Sequence, residues 1–186
     1  MKHIIILFLS ILTISAYGQD KYNHLYSDRL VEIKGTPYAF LKVENWGKLS
    51  VRSQYLLFIN TQNGQSTRID FPKDGWISKT AQIKIDSLQI NKVMVLANTV
   101  NLDNSKHIDG GDPTQIILLS PDGQEKTQLT DDKFYVRDWV VNEKTGGMLV
   151  TGHYDSNNNS RYDKGDDYQI LLYDLKTLKL VSRVQE

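Results

Sequence analysis

The chain contains no cysteine and only 4 prolines among its 186 residues. Without thiols there is no disulfide, no Cys-ligated zinc, no thiolate nucleophile and no lipid-anchored N-terminal Cys. Charge of one sign is also missing, since 22 Lys and Arg face 22 Asp and Glu. That balance removes any general case for nucleic acid or an anionic membrane as partner. Long apolar runs are scarce: the best, Ile4 to Ile14, is broken by Ser10 and Thr13 and falls short of the ~20 residues a membrane span needs. H-E-x-x-H, G-x-S-x-G, P-loop and dinucleotide signatures do not occur. His24, His107 and His153 stand at no zinc-motif spacing.

What is present begins with an export signal. Lys2 and His3 precede the apolar stretch, and Ala16-Tyr17-Gly18 places small residues where a signal peptidase reads them. Cleavage before Gln19 is expected, giving a secreted or periplasmic protein without a membrane span. Loss of Lys2 leaves the mature chain one acidic residue in excess. Disulfides are permitted in such a compartment yet unused here, so the core or a metal must hold the fold. With 40% apolar and 24% charged residues the chain is globular.

Residues 19–186 read as a single β-repeat domain with units near 30–69, 83–129 and 139–184. Shifted by 54 residues, Met94 to Leu118 falls on Met148 to Leu172 without a gap. Identities include Met94 with Met148, Asp109 with Asp163, Asp112 with Asp166 and Gln115 with Gln169. A weaker first copy runs from Leu30, with Gln54 to Phe58 standing in for Gln169 to Tyr173. Thr36-Pro37, Asn63-Gly64, Asp122-Gly123 and Gly146-Gly147 punctuate short runs rich in Val, Ile, Leu, Tyr and Phe. No segment of the mature chain keeps a helical period. The fold class is all-β: three antiparallel repeats like propeller blades, with a β-sandwich or barrel as the alternative.

The phrase I-I-L-L-S-P-D-G-Q-E-K-T-Q-L-T from Ile116, with M-L-V-T-G and I-L-L-Y-D-L-K-T-L-K-L-V in the last copy, resembles the WD40-like repeats of TolB-type β-propellers. The resemblance implies blades and an envelope protein as partner. Three units are fewer than the 4–8 blades of closed propellers. An open stack, a compact barrel or sandwich, and a homodimer that completes six blades are the possible outcomes.

The loop from Asp155 to Asp166 carries oxygen-bearing side chains at positions 1, 3, 5, 9 and 12: Asp155, Asn157, Asn159, Asp163 and Asp166. With the Arg161 carbonyl at position 7, this is the spacing that wraps Ca²⁺ in an EF-hand-type loop. A hard cation takes 6–8 oxygens near 2.4 Å, and alternate residues of a curling backbone point inward. Ser160 occupies position 6, where glycine ordinarily makes the sharp turn, and Asp166 has a shorter arm than Glu. The preceding loop keeps the pattern with Asn101, Asp103, Ser105, the His107 carbonyl, Asp109 and Asp112. Ca²⁺ is expected at the Asp155 loop and more weakly at the Asn101 loop. The bland alternative is that Asn, Asp and Gly simply make good turns.

Trp139 opens an apolar strand and is expected in the core, and His153 at the strand end is expected on the surface. Trp46, Tyr154 and Tyr162 are candidate contacts for a protein or a glycan. The expected function is a non-enzymatic calcium-binding interaction module, the alternative a carbohydrate-binding module. A hydrolase cleft built from Asp and His153 is the remaining enzymatic reading.

Overall fold

The computed structural model describes residues 24–48 and 50–184, so the expected export signal lies outside the described residues. Alternation of apolar and polar residues between turns gives strands throughout. The first sheet holds β1 (His24–Ser27), β2 (Val31–Glu32), β3 (Tyr38–Trp46), β4 (Val51–Asn60) and β5 (Ser66–Asp70). Both β1 and β2 pair with β3, at Val43–Trp46 and Ala39–Phe40, and share one edge position. The second sheet is β6 (Trp76–Ile85), β7 (Ile90–Asn98), β8 (Gln115–Leu119) and β9 (Lys126–Gln128). The third is β10 (Phe134–Asn142), β11 (Gly147–Tyr154), β12 (Asp167–Asp174) and β13 (Lys179–Val184). Each sheet is an antiparallel meander in chain order. A single 3₁₀ turn at Asp86–Leu88 is the only helical element among the described residues. The fold is all-β, three sheets resembling propeller blades.

Hairpin turns fall where the sequence places them. Gly123 shows why a side chain is excluded there: its φ is +73°, and a Cβ would lie 2.6 Å from the Phe58 ring. The second and third sheets begin at Trp76 and Phe134, earlier than the starts at 83 and 139 read from the sequence. Their first strands each carry a bulge, between Ile77 and Lys79 and between Val136 and Asp138. A bulge inserts an unpaired residue and breaks the two-residue period, which hides the strand.

Two cores separate the three sheets. Phe40, Leu56 and Phe58 of the first sheet meet Val93, Val95, Ile117 and Leu119 of the second. Met94, Leu96, Ile116 and Leu118 leave the opposite face of that second sheet and meet Phe134, Met148, Val150, Leu171 and Tyr173 of the third. The middle sheet is therefore covered on both sides, which is why all five residues of β8 are buried and read as an uninterrupted apolar run.

The gap-free repeat is corrected by these faces. Met94 pairs with Leu118, but Met148 pairs with Tyr173, one residue past the Leu172 that matches Leu118. The strand equivalent of Met94 is therefore Leu149, and the stretch from Leu149 to Leu172 is one residue shorter than that from Met94 to Leu118. Because successive side chains alternate faces, this slip turns Met94 forward and Met148 backward, so that both point into the same core. The first copy slips likewise. Leu56 and Phe58 face the next sheet, whereas their sequence matches Leu171 and Tyr173 face the preceding one. In structural register, every junction packs a forward face onto a backward face.

Candidate calcium loops

The β7–β8 and β11–β12 connections, residues 99–114 and 155–166, leave the same end of neighbouring sheets. Asp155 sits at the mouth of the second loop and is only 1% exposed. Its backbone N–H donates to the Lys133 carbonyl at 3.0 Å, which fixes it beside the start of β10. Its two carboxylate oxygens accept the backbone N–H groups of Asn159 and Ser160, each at 3.0 Å. The chain therefore curls around position 1. Ser160 makes the sharp turn at position 6 with φ of +61°, the left-handed region for which glycine is ordinarily required.

The rest of the loop continues the curl. Asn157 Oδ1 accepts from Asn159 N at 2.9 Å, and Asn159 Oδ1 from Arg161 N at 2.9 Å. Both Asn side-chain amides also turn an N–H toward the Asp163 carboxylate. The Gly165 backbone N–H and then the Asn159 amide hold the Asp163 carboxyl below the usual carboxylate range, so it stays ionised in mild acid. Asp166 accepts from Asp163 N at 2.9 Å through Oδ2, while its Oδ1 is buried without a partner. An anionic oxygen left bare in a buried position is costly, and a cation relieves that cost.

The first loop repeats much of this and departs at its start. Asp103 Oδ1 accepts Ser105 N at 2.9 Å, Asp109 Oδ1 accepts Gly111 N at 2.8 Å, and Asp112 Oδ2 accepts Asp109 N at 2.9 Å. Each bond has its counterpart 54 residues on. Asn104 and Asn158 both adopt positive φ, +54° and +58°. Position 1, however, is Asn101, whose Nδ2 donates to the Ser105 carbonyl at 2.8 Å and whose Oδ1 is buried and unpaired. The second oxygen of Asp112 is taken by Leu102 N at 2.8 Å. The His107 carbonyl accepts the Ser105 hydroxyl at 2.8 Å, and the His107 ring lies 3.1 Å from Asp74. With no carboxylate at position 1, this loop does not wrap its first ligand as the second does.

Among the described residues no three Asp, Glu or His side chains are arranged together to hold a metal ion. The carboxylates of Asp103, Asp109, Asp112, Asp155, Asp163 and Asp166 are each turned to backbone N–H groups. The unpaired oxygens of Asp166 and Asn101 are the observations on which a cation fits these loops.

Between the loops lies a cleft of about 500 Å³ lined by Asp103, Asp112, Tyr135, Arg137, Arg161 and Tyr162 among others. Tyr135 and Arg137 come from β10 and carry no sequence signal, since nothing in a strand marks which outward residue a distant loop will cover. Burial, then the charges of Asp155, Asp112, Asp166 and Asp103, push the Tyr135 hydroxyl up to about 12. Tyr162 rests on this wall, its ring 4.2 Å from the Arg137 guanidinium carbon and 4.8 Å from the His153 ring.

The aromatic expectations divide. Trp46 is 39% exposed, with its indole N–H on Glu44 at 3.0 Å, and Tyr162 is 45% exposed. Tyr154 is corrected: it ends β11 half-buried, packed against the core rather than offered from a loop. His153 is likewise not a simple surface residue, because Tyr162 and Tyr168 flank its ring and its Nδ1 is buried without a partner. Trp139 packs on the core with Lys79 over its ring at 4.7 Å. Trp46 belongs to the first sheet and Tyr162 to the third, and Trp46 does not line the cleft between the loops.

No family model matches the chain, and no curated protein matches it. Among solved structures it is similar to a variant of the Synechocystis apocarotenoid oxygenase, with 16% identity over 87% of this chain and 38% of that one and a TM-score of 0.38. A cobalt-substituted form of the Synechocystis enzyme gives 17% identity over 91% of this chain and 40% of that one, with a TM-score of 0.40. The chain spans about two fifths of the length of these proteins.

Proposed function

We propose that the chain is an exported, non-enzymatic β-repeat module that binds Ca²⁺ in its loops and presents the ordered loop surface to a partner. The observation that carries this reading is the curl of residues 155–160 around the buried Asp155 carboxylate, made possible by the left-handed Ser160. Asp155, Asn157, Asn159, the Arg161 carbonyl, Asp163 and Asp166 are the residues that would hold the ion. Asn101, Asp103, Ser105, the His107 carbonyl, Asp109 and Asp112 form the weaker second set. An amide oxygen has two lone pairs, so Asn157 and Asn159 can keep their backbone bonds and still ligate. Calcium would neutralise the acids around the cleft and fix the Arg161–Tyr162 segment against Arg137. Affinity belongs to the weak extracellular class, about 10⁻⁴–10⁻³ M. The TolB-type resemblance favours an envelope protein as the partner.

Calorimetry of the exported protein tests this, with Mg²⁺ as control. One or two calcium sites are expected, and Asp155→Ala with Asp163→Ala should abolish the stronger. No heat up to about 10 mM Ca²⁺, well above the weak-site range, reduces the acids to turn formers.

A carbohydrate-binding module is the second reading, favoured by the exposure of Trp46 and Tyr162. Aromatic faces of this kind stack on sugar rings. Capture on an envelope glycan that Trp46→Ala leaves intact would set this reading aside.

A further inference from the structure

Both junctions inside the molecule join a forward face to a backward face, and one face of each kind is left over. On the third sheet the leftover face is forward. Val140 pairs with Leu149 and Leu149 with Leu172, an apolar row over three strands that meets Ser182 on the fourth, and beside it Ile170 pairs with Val184. Val140 is 60%, Leu149 38% and Val184 45% exposed. The other side of these strands, at Met148, Val150 and Leu171, is already buried in the core.

On the first sheet the leftover face is backward. Leu41 pairs with Leu57, Ala39 with Ile59 and Val43 with Tyr55. These residues alternate with Phe40, Leu56 and Phe58, which enter the core toward the second sheet. None of the six belongs to either core cluster, and no other sheet packs over them among the described residues, although Ala39 and Val43 are buried and Leu41, Tyr55, Leu57 and Ile59 half-buried among their own neighbours. The sheet is thus apolar on a side that meets no other sheet. A strand covered on one side only ordinarily alternates to polar residues on the other.

We infer that a second copy of this chain covers both faces, its first sheet lying on the third sheet of its neighbour. The contact is continuous with the two inside the molecule, because it repeats their forward-to-backward packing with the same strand positions. Such a contact is heterologous: it either closes into a ring or runs on as a fibre. Two copies supply six sheets, inside the 4–8 blades of closed propellers, whereas three copies supply too many. The assembly is therefore a closed dimer with two identical junctions. This holds whether or not calcium fills the loops.

Sedimentation equilibrium of the exported protein tests it, and a two-chain mass is expected. Val140→Lys with Leu149→Lys damages the forward face, and Leu41→Asp with Leu57→Asp damages the backward face. Each double variant alone breaks both junctions and should halve the mass, with a melting transition to show that it remains folded. Mixed in equal amounts, the two should return to a two-chain mass, because one junction then joins two intact faces. A monomeric parent overturns the inference, and so does a parent that forms larger open multimers. Variants that stay folded and dimeric overturn it as well, as does a mixture of monomeric variants that stays monomeric. A dimer that pairs one face with its own copy is recognised by the earlier result, since the variant damaged on the other face would stay dimeric.

Discussion

Replacing Asp155 by Asn separates the structural use of this carboxylate from its use as a ligand. The side chain is almost fully buried and accepts two backbone N–H groups at 3.0 Å. Asn keeps one accepting oxygen and turns an N–H₂ toward the other donor, so one charge-assisted bond is lost. Such a bond contributes about 1.5–3 kcal/mol. A domain of this size loses roughly 2–4 °C of melting temperature per kcal/mol, so Asp155→Asn should melt about 3–12 °C below the parent in chelator. Calcium adds a second difference. At a concentration 100-fold above its dissociation constant, a ligand confined to the native state stabilises it by about 2.7 kcal/mol. The parent should then rise by about 5–11 °C between chelator and saturating calcium, while the variant keeps only the smaller rise that the weaker Asn101 loop contributes. The gap between the two proteins must therefore widen when calcium is added, which differential scanning calorimetry reads directly. A gap that is the same in both buffers would refute the assignment of Asp155 as a ligand while leaving its role in the turn.

Gln54 is wholly buried and ties the first two sheets, accepting Ile77 N at 2.6 Å and donating to Glu44 at 2.9 Å. Gln54→Ala should cost about 2–4 kcal/mol by leaving a buried donor and a carboxylate short of partners, seen as a lower urea midpoint at unchanged slope. At Gly152 a Cβ would stand 2.3 Å from the Tyr135 carbonyl oxygen and 2.7 Å from the Phe134 ring. Gly152→Ala should therefore reach about 3 kcal/mol or more, the upper end of over-packing, because the nearer atom is backbone; a loss under about 1 kcal/mol on denaturation would contradict the packing. Tyr135 is raised to about 12, so the folded protein keeps a proton that the unfolded chain releases near 10. Its stabilising effect is complete below pH ~10 and lost as the pH climbs toward 12. In calcium-free buffer, Tyr135→Phe should remove that part of the alkaline fall in melting temperature.

The all-β class, the hairpin turns and the phase of the two acidic loops were legible because each rests on local chemistry. Asp103, Asp109 and Asp112 make bonds that recur 54 residues later since the same residues sit at the same spacing. Strand register was less legible. Met94 matches Met148 in sequence, yet a single missing residue before the last loop turns them to opposite faces, and identity of residue type cannot report on facing. Tyr154 looked like part of the loop because Asp155 follows it directly, but the strand runs up to it and packs the half-buried ring against the core. Tyr135 and Arg137 could not have been found, because only the packing of a later loop over an earlier strand makes them walls of a cleft.

The burial of β8 has a consequence for how the molecule is made. A strand with all five residues covered needs both neighbouring sheets before it is stable, and the later neighbour follows it in the chain. As the chain emerges, Gln115-Ile-Ile-Leu-Leu119 and its partner β7 must wait, uncovered on one side, for residues beyond 134. A waiting apolar strand of this kind invites pairing with other nascent chains. Folding should accordingly be one cooperative event rather than three, with the yield limited by how quickly the last meander arrives.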